Sequence, residues 1–449
     1  MWSNQTECSG GSKSKNTLTA IVMFFVVFLL HSVSLNATSD DSRWSIHTAM
    51  SIIKEGNTDL DEYRPLVLKE PSYLYEFVDG HIYFRYPIGA SILAIPFVYI
   101  LDKVFPLLFQ TFPPLEALVK RLMSQPPSQL TVITAHQLAE VIIASLFVAI
   151  TALFIYSLAL FHLKRNGALA IALLFAFATP AWSTASRALW QHTPSILLLT
   201  IALFLVIKAK TKPALVQFLS LPLGFSFICR PTNAIAIIAF SIYVFLYYRR
   251  YFLLYLFWGL AILVPFVLYN LHIYHLPLSP YYLQSATSTT HLLEGLLGTL
   301  FSPSRGVFVF SPVLLFSIYG MVEKLRHQKE EIDIVLIIII LLHWIVISAF
   351  PNWYGGHTLG PRYFTDVIPY FIYFLIPVFK KLPTLNHFKR TVLTSLFIFS
   401  ATISFLIHLN CAMNRATERW NAEPVDVDKN PARVWDWYDP QFLRGIIRK

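Results

Sequence analysis

Tyr86-Pro87-Ile88-Gly89-Ala90-Ser91-Ile92-Leu93-Ala94-Ile95-Pro96-Phe97-Val98-Tyr99-Ile100-Leu101-Asp102-Lys103-Val104-Phe105 decides how this 449-residue chain is threaded. The segment is apolar enough to cross a bilayer, which takes about 20 such residues. If it crosses, every later basic cluster changes sides. Those clusters are Lys164/Arg165, Lys208/Lys210/Lys212, Arg249/Arg250, Lys324/Arg326/Lys329 and Lys380/Lys381/Lys389/Arg390. Left uncrossed, the segment puts them all on the side of Lys13, Lys15 and the N-terminus, as the positive-inside rule requires. Pro87, Gly89 and Pro96 also argue for a broken segment lying at the interface.

Composition sets the class. Hydrophobic residues make up 55% of the chain and charged residues 13%, with a mean hydropathy of +0.56. No ordinary soluble domain has that balance. The formal charge of +10 would suit nucleic acid, but Lys and Arg sit in small clusters between apolar runs, as topology determinants do, so no nucleic-acid partner is expected. Cys8, Cys229 and Cys411 are too scattered for a metal-ligand pattern or a disulfide framework.

The expected fold is an all-α polytopic membrane protein of about 11 transmembrane helices, with juxtamembrane helices in the first outer loop. The spans run roughly Thr17 to Leu35, Gln137 to Phe161, Gly167 to Trp182, Pro194 to Ile207, Pro213 to Cys229, Pro231 to Tyr247, Tyr251 to Tyr269, Gly306 to Val322, Ile332 to Phe350, Asp366 to Phe379 and Thr391 to Asn410. The first lacks a convincing cleavage site and is read as a span rather than a removable signal peptide. No internal repeat divides the chain. Residues 1–410 form one integral membrane domain, and residues 411–449 an outer tail whose Trp420, Trp435, Trp437 and Tyr438 suit an interfacial belt or a cover for a site.

On this path the first outer loop opens with Asn36-Ala37-Thr38-Ser39-Asp40-Asp41. A carboxylate pair at a membrane surface is either a solvated helix end or a functional site. The later outer connections hold Arg187, Arg230, Arg305 and Arg362, one arginine each and no lysine. Snorkelling anchors would explain any one of them. Their joint occurrence suits phosphate at the membrane surface, because guanidinium offers a planar fork of donors with a permanent charge.

Ser39-Asp40-Asp41-Ser42-Arg43-Trp44 resembles the first outer loop of the glycosyltransferase C superfamily, whose members carry an acidic pair just after the first span. Tyr83-Phe84-Arg85-Tyr86-Pro87-Ile88 is similar to the Tyr-Phe-x-Lys-Pro stretch of the lipid A aminoarabinose transferases and related protein O-mannosyltransferases, where it precedes a juxtamembrane helix. With Gly224 to Thr232, the likeness extends over about Thr17 to Tyr247. Trp353-Tyr354-Gly355-Gly356-His357 and Gly360-Pro361-Arg362-Tyr363-Phe364 look like a motif of other membrane glycosyltransferases.

The resemblance implies an extracytoplasmic transferase, taking its sugar from a polyprenyl-phosphate-linked donor and passing it to a lipid, glycan or protein acceptor, with inversion. Asp40 or Asp41 would be the base, and Arg85, Arg230 and Arg362 would hold the donor phosphate. Arg43, Tyr86, His192, Arg187, Arg305 and His357 are further site candidates. Two departures stand out. Tyr86 occupies the place of the family's lysine, and Ala188-Leu189-Trp190-Gln191-His192-Thr193-Pro194 offers His192 where an acidic residue is usual. One acidic pair and a histidine are a thin ligand set for a hard cation, so no metal ligand is assigned and a divalent metal stays an open, unsupported alternative, with no other cofactor expected. A transporter or flippase of a lipid-linked sugar would share the arginines, but should place polar groups near the bilayer midplane. The setting implied is a bacterial inner (plasma) membrane, with the N-terminus cytoplasmic and the site and C-terminus outside.

Overall fold

The computed structural model describes residues 10–34, 36, 41–114, 132–283 and 290–447. It is helical apart from one two-stranded sheet. Among the described residues, eight helical stretches are long and apolar enough to cross a membrane: Ser14–Ser32, Gly89–Thr111, Gln137–Leu160, His192–Ala209, Arg249–Tyr274, Glu331–Ser348, Arg362–Thr384 and His387–Met413. Shorter apolar helices at Arg165–Phe177, Pro213–Cys229 and Pro231–Tyr247 match three more of the expected spans. Leu253, Leu260 and Leu268 are exposed along Arg249–Tyr274, an apolar surface that lipid would cover. The chain is thus an all-α polytopic membrane protein.

Side-chain contacts define two ends. At one, α1 (Gly10–Ser32) finishes beside Trp182, whose indole donates to Ser34 Oγ at 3.0 Å, and Asn36 Nδ2 donates to the Cys411 carbonyl at 2.8 Å. At the other, Lys210 and Lys324 meet Glu330 at 2.7 and 3.0 Å, and Lys381 meets Glu323 at 2.8 Å. Basic clusters from three connections therefore converge at the end remote from Asp41.

The span expected from Gly306 to Val322 is interrupted. Short helices at Val307–Phe310 and Leu315–His327 are separated at Ser311-Pro312, where the proline lacks an N–H for the helix ladder. The Ser311 hydroxyl is instead hydrogen-bonded to His408 Nε2 at 2.8 Å.

Between α1 and the helix Val132–Leu160 the chain builds a layer of shorter elements and one long helix. α2 (Ser45–Lys54) buries Ile46, Ala49 and Met50 in one cluster with Ala90, Ala94 and Val98 of α3 (Gly89–Thr111). The expected break in α3 does not occur. Pro96 and Pro106 sit inside one continuous helix, which by length and composition alone could cross. Its middle nevertheless carries Asp102 and Lys103, and Lys54 at the end of α2 reaches Asp102 at 3.6 Å.

Ahead of α3, β1 (Tyr75–Val78) and β2 (His81–Phe84) form an antiparallel hairpin. Its two-residue turn is Asp79-Gly80, both at positive φ (52° and 87°), as the right-handed twist of paired strands favours.

The tail folds back on the helices. Trp420 is 1% exposed, with the guanidinium groups of Arg305 and Arg433 at 5.4 and 4.2 Å from its ring, and clusters with Trp353, Tyr354, Val427 and Val434. It is a core residue, not a belt residue, whereas Trp437 and Tyr438 stay exposed.

Candidate active site

Three segments distant in sequence are held together at the Asp41 end. Gly89 lets the first turn of α3 press against Cys229, since a Cβ there would stand 2.7 Å from the Cys229 backbone nitrogen. That contact sets Arg85 and Tyr86 beside Arg230. Gly360 adopts φ +62°, and a Cβ on it would strike the Phe310 ring at 2.6 Å. Only glycine allows this tight turn into Pro361 and Arg362.

The result is a cavity of about 500 Å³, lined by Asp41, Arg85, Tyr86, His192, Arg230 and Arg362 together with Trp190, Tyr281 and Tyr363. Six of the residues singled out in the sequence therefore share one space. Arg362 Nη1 donates to Asp41 Oδ2 at 2.8 Å, and the Tyr86 hydroxyl donates to Asp41 Oδ1 at 2.8 Å. Burial and the adjacent Asp41 raise the Tyr86 pKa, so the phenol keeps its proton and acts as a donor. Tyr86, standing where the resemblance predicts lysine, thus orients the carboxylate. Arg362 lies over the rings of Trp190 and Tyr363 at 4.6 and 5.2 Å, which limits its swing.

Behind this wall is a second network. Asp366 Oδ2 forms an ion pair with Arg230, 2.9 Å from its Nε, and accepts from His192 Nδ1 at 3.0 Å; Arg230 Nε donates to the Thr232 hydroxyl at 2.9 Å, and Arg230 Nη1 stands 3.0 Å from His192 Nε2. Guanidinium can only donate, so Nε2 must accept and the imidazole proton must lie on Nδ1, facing Asp366. His192 is therefore neutral here. Asp366 is fully buried, and it fixes both cavity residues without lining the cavity itself. Arg85 is held at the rim by Glu76, 3.3 Å away.

Not every sequence candidate is at the cavity. Asp40 lies outside the described residues. Arg43 pairs with Glu70. Arg187 is fully buried and donates to the carbonyls of Trp182, Ser34 and His31 and to the Ser186 hydroxyl. Arg305 donates to the carbonyls of Tyr354, Ser304 and Gly356 and to the side-chain oxygens of Gln441 and Asn421. Expected as outer phosphate ligands, both are internal ties, because acceptors from other segments close around each guanidinium. His357 meets Asp426 and Asp428 at 3.2 and 3.8 Å, in the loop-and-tail layer.

Sequence reasoning missed Asp366, Trp190, Tyr281 and Glu76. Asp366 had one usable signal, a carboxylate at the head of an apolar span only four residues past Arg362. Among the described lining residues Asp41 is the one carboxylate and His192 the one imidazole.

No protein-family model and no curated protein matches the chain. Among solved structures it is similar to the oligosaccharyltransferase of Archaeoglobus fulgidus, crystallised in the apo form, with a TM-score of 0.54 and 10% identity. The match covers 97% of this chain and 61% of that one, so the chain spans less than two thirds of its neighbour's length. At that identity the likeness is one of fold.

Proposed function

We propose that the chain is a membrane glycosyltransferase, moving a sugar from a polyprenyl-phosphate-linked donor to an extracytoplasmic acceptor with inversion. The observation that carries this reading is the meeting of Asp41 with Arg362, Arg230 and Arg85 around one cavity. The fold likeness to an oligosaccharyltransferase supports a membrane glycosyltransferase and the glycosyltransferase C superfamily. The donor class is inferred from the arginines and from the setting, since nucleotide sugars are a cytoplasmic supply.

In this reading the donor phosphate competes with Asp41 for Arg362, since both offer oxygens of matching geometry to one guanidinium. Asp41, still oriented by Tyr86, then takes the proton of the acceptor hydroxyl. The acceptor oxygen attacks the anomeric carbon, and its bond to the phosphate oxygen breaks on the opposite face. Arg362, Arg230 and Arg85 stabilise the charge that develops on the departing phosphate. The acceptor is a lipid, a glycan or a protein.

The test is to offer the purified, lipid-embedded protein a panel of polyprenyl-phosphate sugars and to measure release of polyprenyl phosphate. Movement of the donor across vesicles without its consumption would replace the reading with transport. The basic end is assigned to the cytoplasm by the positive-inside rule, in a bacterial inner membrane. Cysteine labelling should find positions 164 and 437 on opposite sides; the same side would overturn that path.

A further inference from the structure

A second cavity, of about 360 Å³, opens at the end of the molecule opposite Asp41. Lys324, Lys380, Lys381 and His162 line it, against a single carboxylate, Glu323. Glu323 is taken by Lys381 at 2.8 Å, and Lys324 is committed to Glu330 and Asp333 at 3.0 and 3.2 Å. Among the described residues the Lys380 ammonium has neither an ion pair nor a hydrogen bond. In the same lining, the His162 Nε2 atom is buried without a hydrogen-bond partner. Burial first, and then the charges of Lys380, Lys324 and Lys210 against that of Glu330, push the His162 pKa down to about 4. A lysine that only sets topology needs water at the membrane surface. It needs no recess with an imidazole in its wall, nor the apolar side that Ile376 and Pro377 give this one.

We propose that this cavity binds a phosphate-bearing anion, with Lys380 as the charged contact and His162 as a hydrogen-bonding one. The chemistry is common to a phospholipid headgroup and to free phosphate, and basic recesses at the ends of membrane helices suit the former. The site stands whatever reaction the Asp41 cavity performs.

The experiment uses the full chain in zwitterionic detergent with two probes. Phosphatidylglycerol is titrated against phosphatidylcholine and its retention read by native mass spectrometry, while inorganic phosphate alone is read by thermal unfolding. Retention of phosphatidylglycerol should fall about tenfold or more in Lys380→Gln, the size of a lost charge-assisted hydrogen bond. It should be unchanged in Lys329→Gln, an exposed lysine of the same end outside the cavity. A rise in melting temperature with phosphate that Lys380→Gln abolishes, with both lipids retained equally, would support the site and make a soluble anion its occupant. The proposal fails if Lys380→Gln matches the parent with both probes, or if Lys329→Gln loses as much.

Discussion

Arg187 and Arg305 came from the same sequence pattern as Arg230 and Arg362, one arginine per outer connection, yet the two pairs have opposite surroundings. The guanidinium groups of Arg187 and Arg305 are filled by backbone carbonyls, a hydroxyl and amide oxygens. That of Arg362 faces the Asp41 carboxylate at the cavity wall, and that of Arg230 lines the same cavity while paired to the buried Asp366 behind it. Neutral acceptors at fixed backbone positions turn an arginine into a strut that cannot leave. A carboxylate partner beside open space can be exchanged for another anion of the same geometry. Acceptor type therefore separates a tie from a binding group where charge and position along the chain do not.

The comparison is tested most severely by removing a strut. Arg305→Met strands several buried acceptors, each costing about 1–3 kcal/mol, so a loss on the order of 3 kcal/mol or more is expected. Arg187→Met should behave likewise. Arg362→Met leaves Asp41 partly exposed and able to hydrate, and should stay within about 1 kcal/mol of the parent. Thermal unfolding in detergent with size-exclusion profiles checks this. Equal stability of the Arg305 and Arg362 variants would erase the distinction.

Asp41→Asn comes next. It keeps the shape and the contact to Tyr86 while removing the basic lone pair, so the protein should insert and fold normally but lose about 10²-fold or more in transfer. Near-normal turnover in Asp41→Asn and in Asp40→Asn would remove the general-base assignment.

What the sequence disclosed follows from physics that acts locally. Lys and Arg partition to one side of a bilayer whatever their tertiary partners, so the basic end could be read from clusters such as Lys324/Arg326/Lys329. Asp40-Asp41 stood out because charge is rare near apolar runs. Partners were hidden because they are distant, Asp41 and Arg362 standing 321 positions apart and His192 and Asp366 174 apart. Asp366 reads as an ordinary span start until three segments converge on it. Prolines misled in both directions, breaking the helix at Pro312 and being absorbed at Pro96 inside a continuous helix. The Asp79-Gly80 hairpin was legible from its turn residues, but Tyr83 to Pro87 was read for its motif and not for its strands.

Arg362→Lys sharpens the comparison from the binding side. Lysine keeps the charge but not the planar fork, and it stacks less well over Trp190 and Tyr363. Loss of donor use by roughly 1.5–3 kcal/mol is expected, with expression and insertion unchanged. Kinetics on the lipid donor with the acceptor held saturating would read it. A variant indistinguishable from the parent would return Arg362 to the anchors.

Arg85→Lys should have the smallest effect, and its size is informative. Arg85 stands at the rim, with a side chain 31% exposed and held by Glu76 at 3.3 Å, so water screens it more than it screens Arg362 or Arg230. Only part of its charge is available to a phosphate, and lysine would keep that part. A loss of roughly 0.5–1.5 kcal/mol in donor use is expected, from one net hydrogen bond at a wet site. A loss as large as that of Arg362→Lys would mean that donor binding draws Arg85 away from Glu76 and into direct contact, making Arg85 the functional replacement for the lysine absent at Tyr86. No loss would make Arg85 a pin for the hairpin, with the phosphate held by Arg362 and Arg230 alone. Glu76→Gln separates these outcomes: it releases Arg85, so donor use should rise if Arg85 competes for phosphate and stay level if Arg85 only fastens β2 to β1.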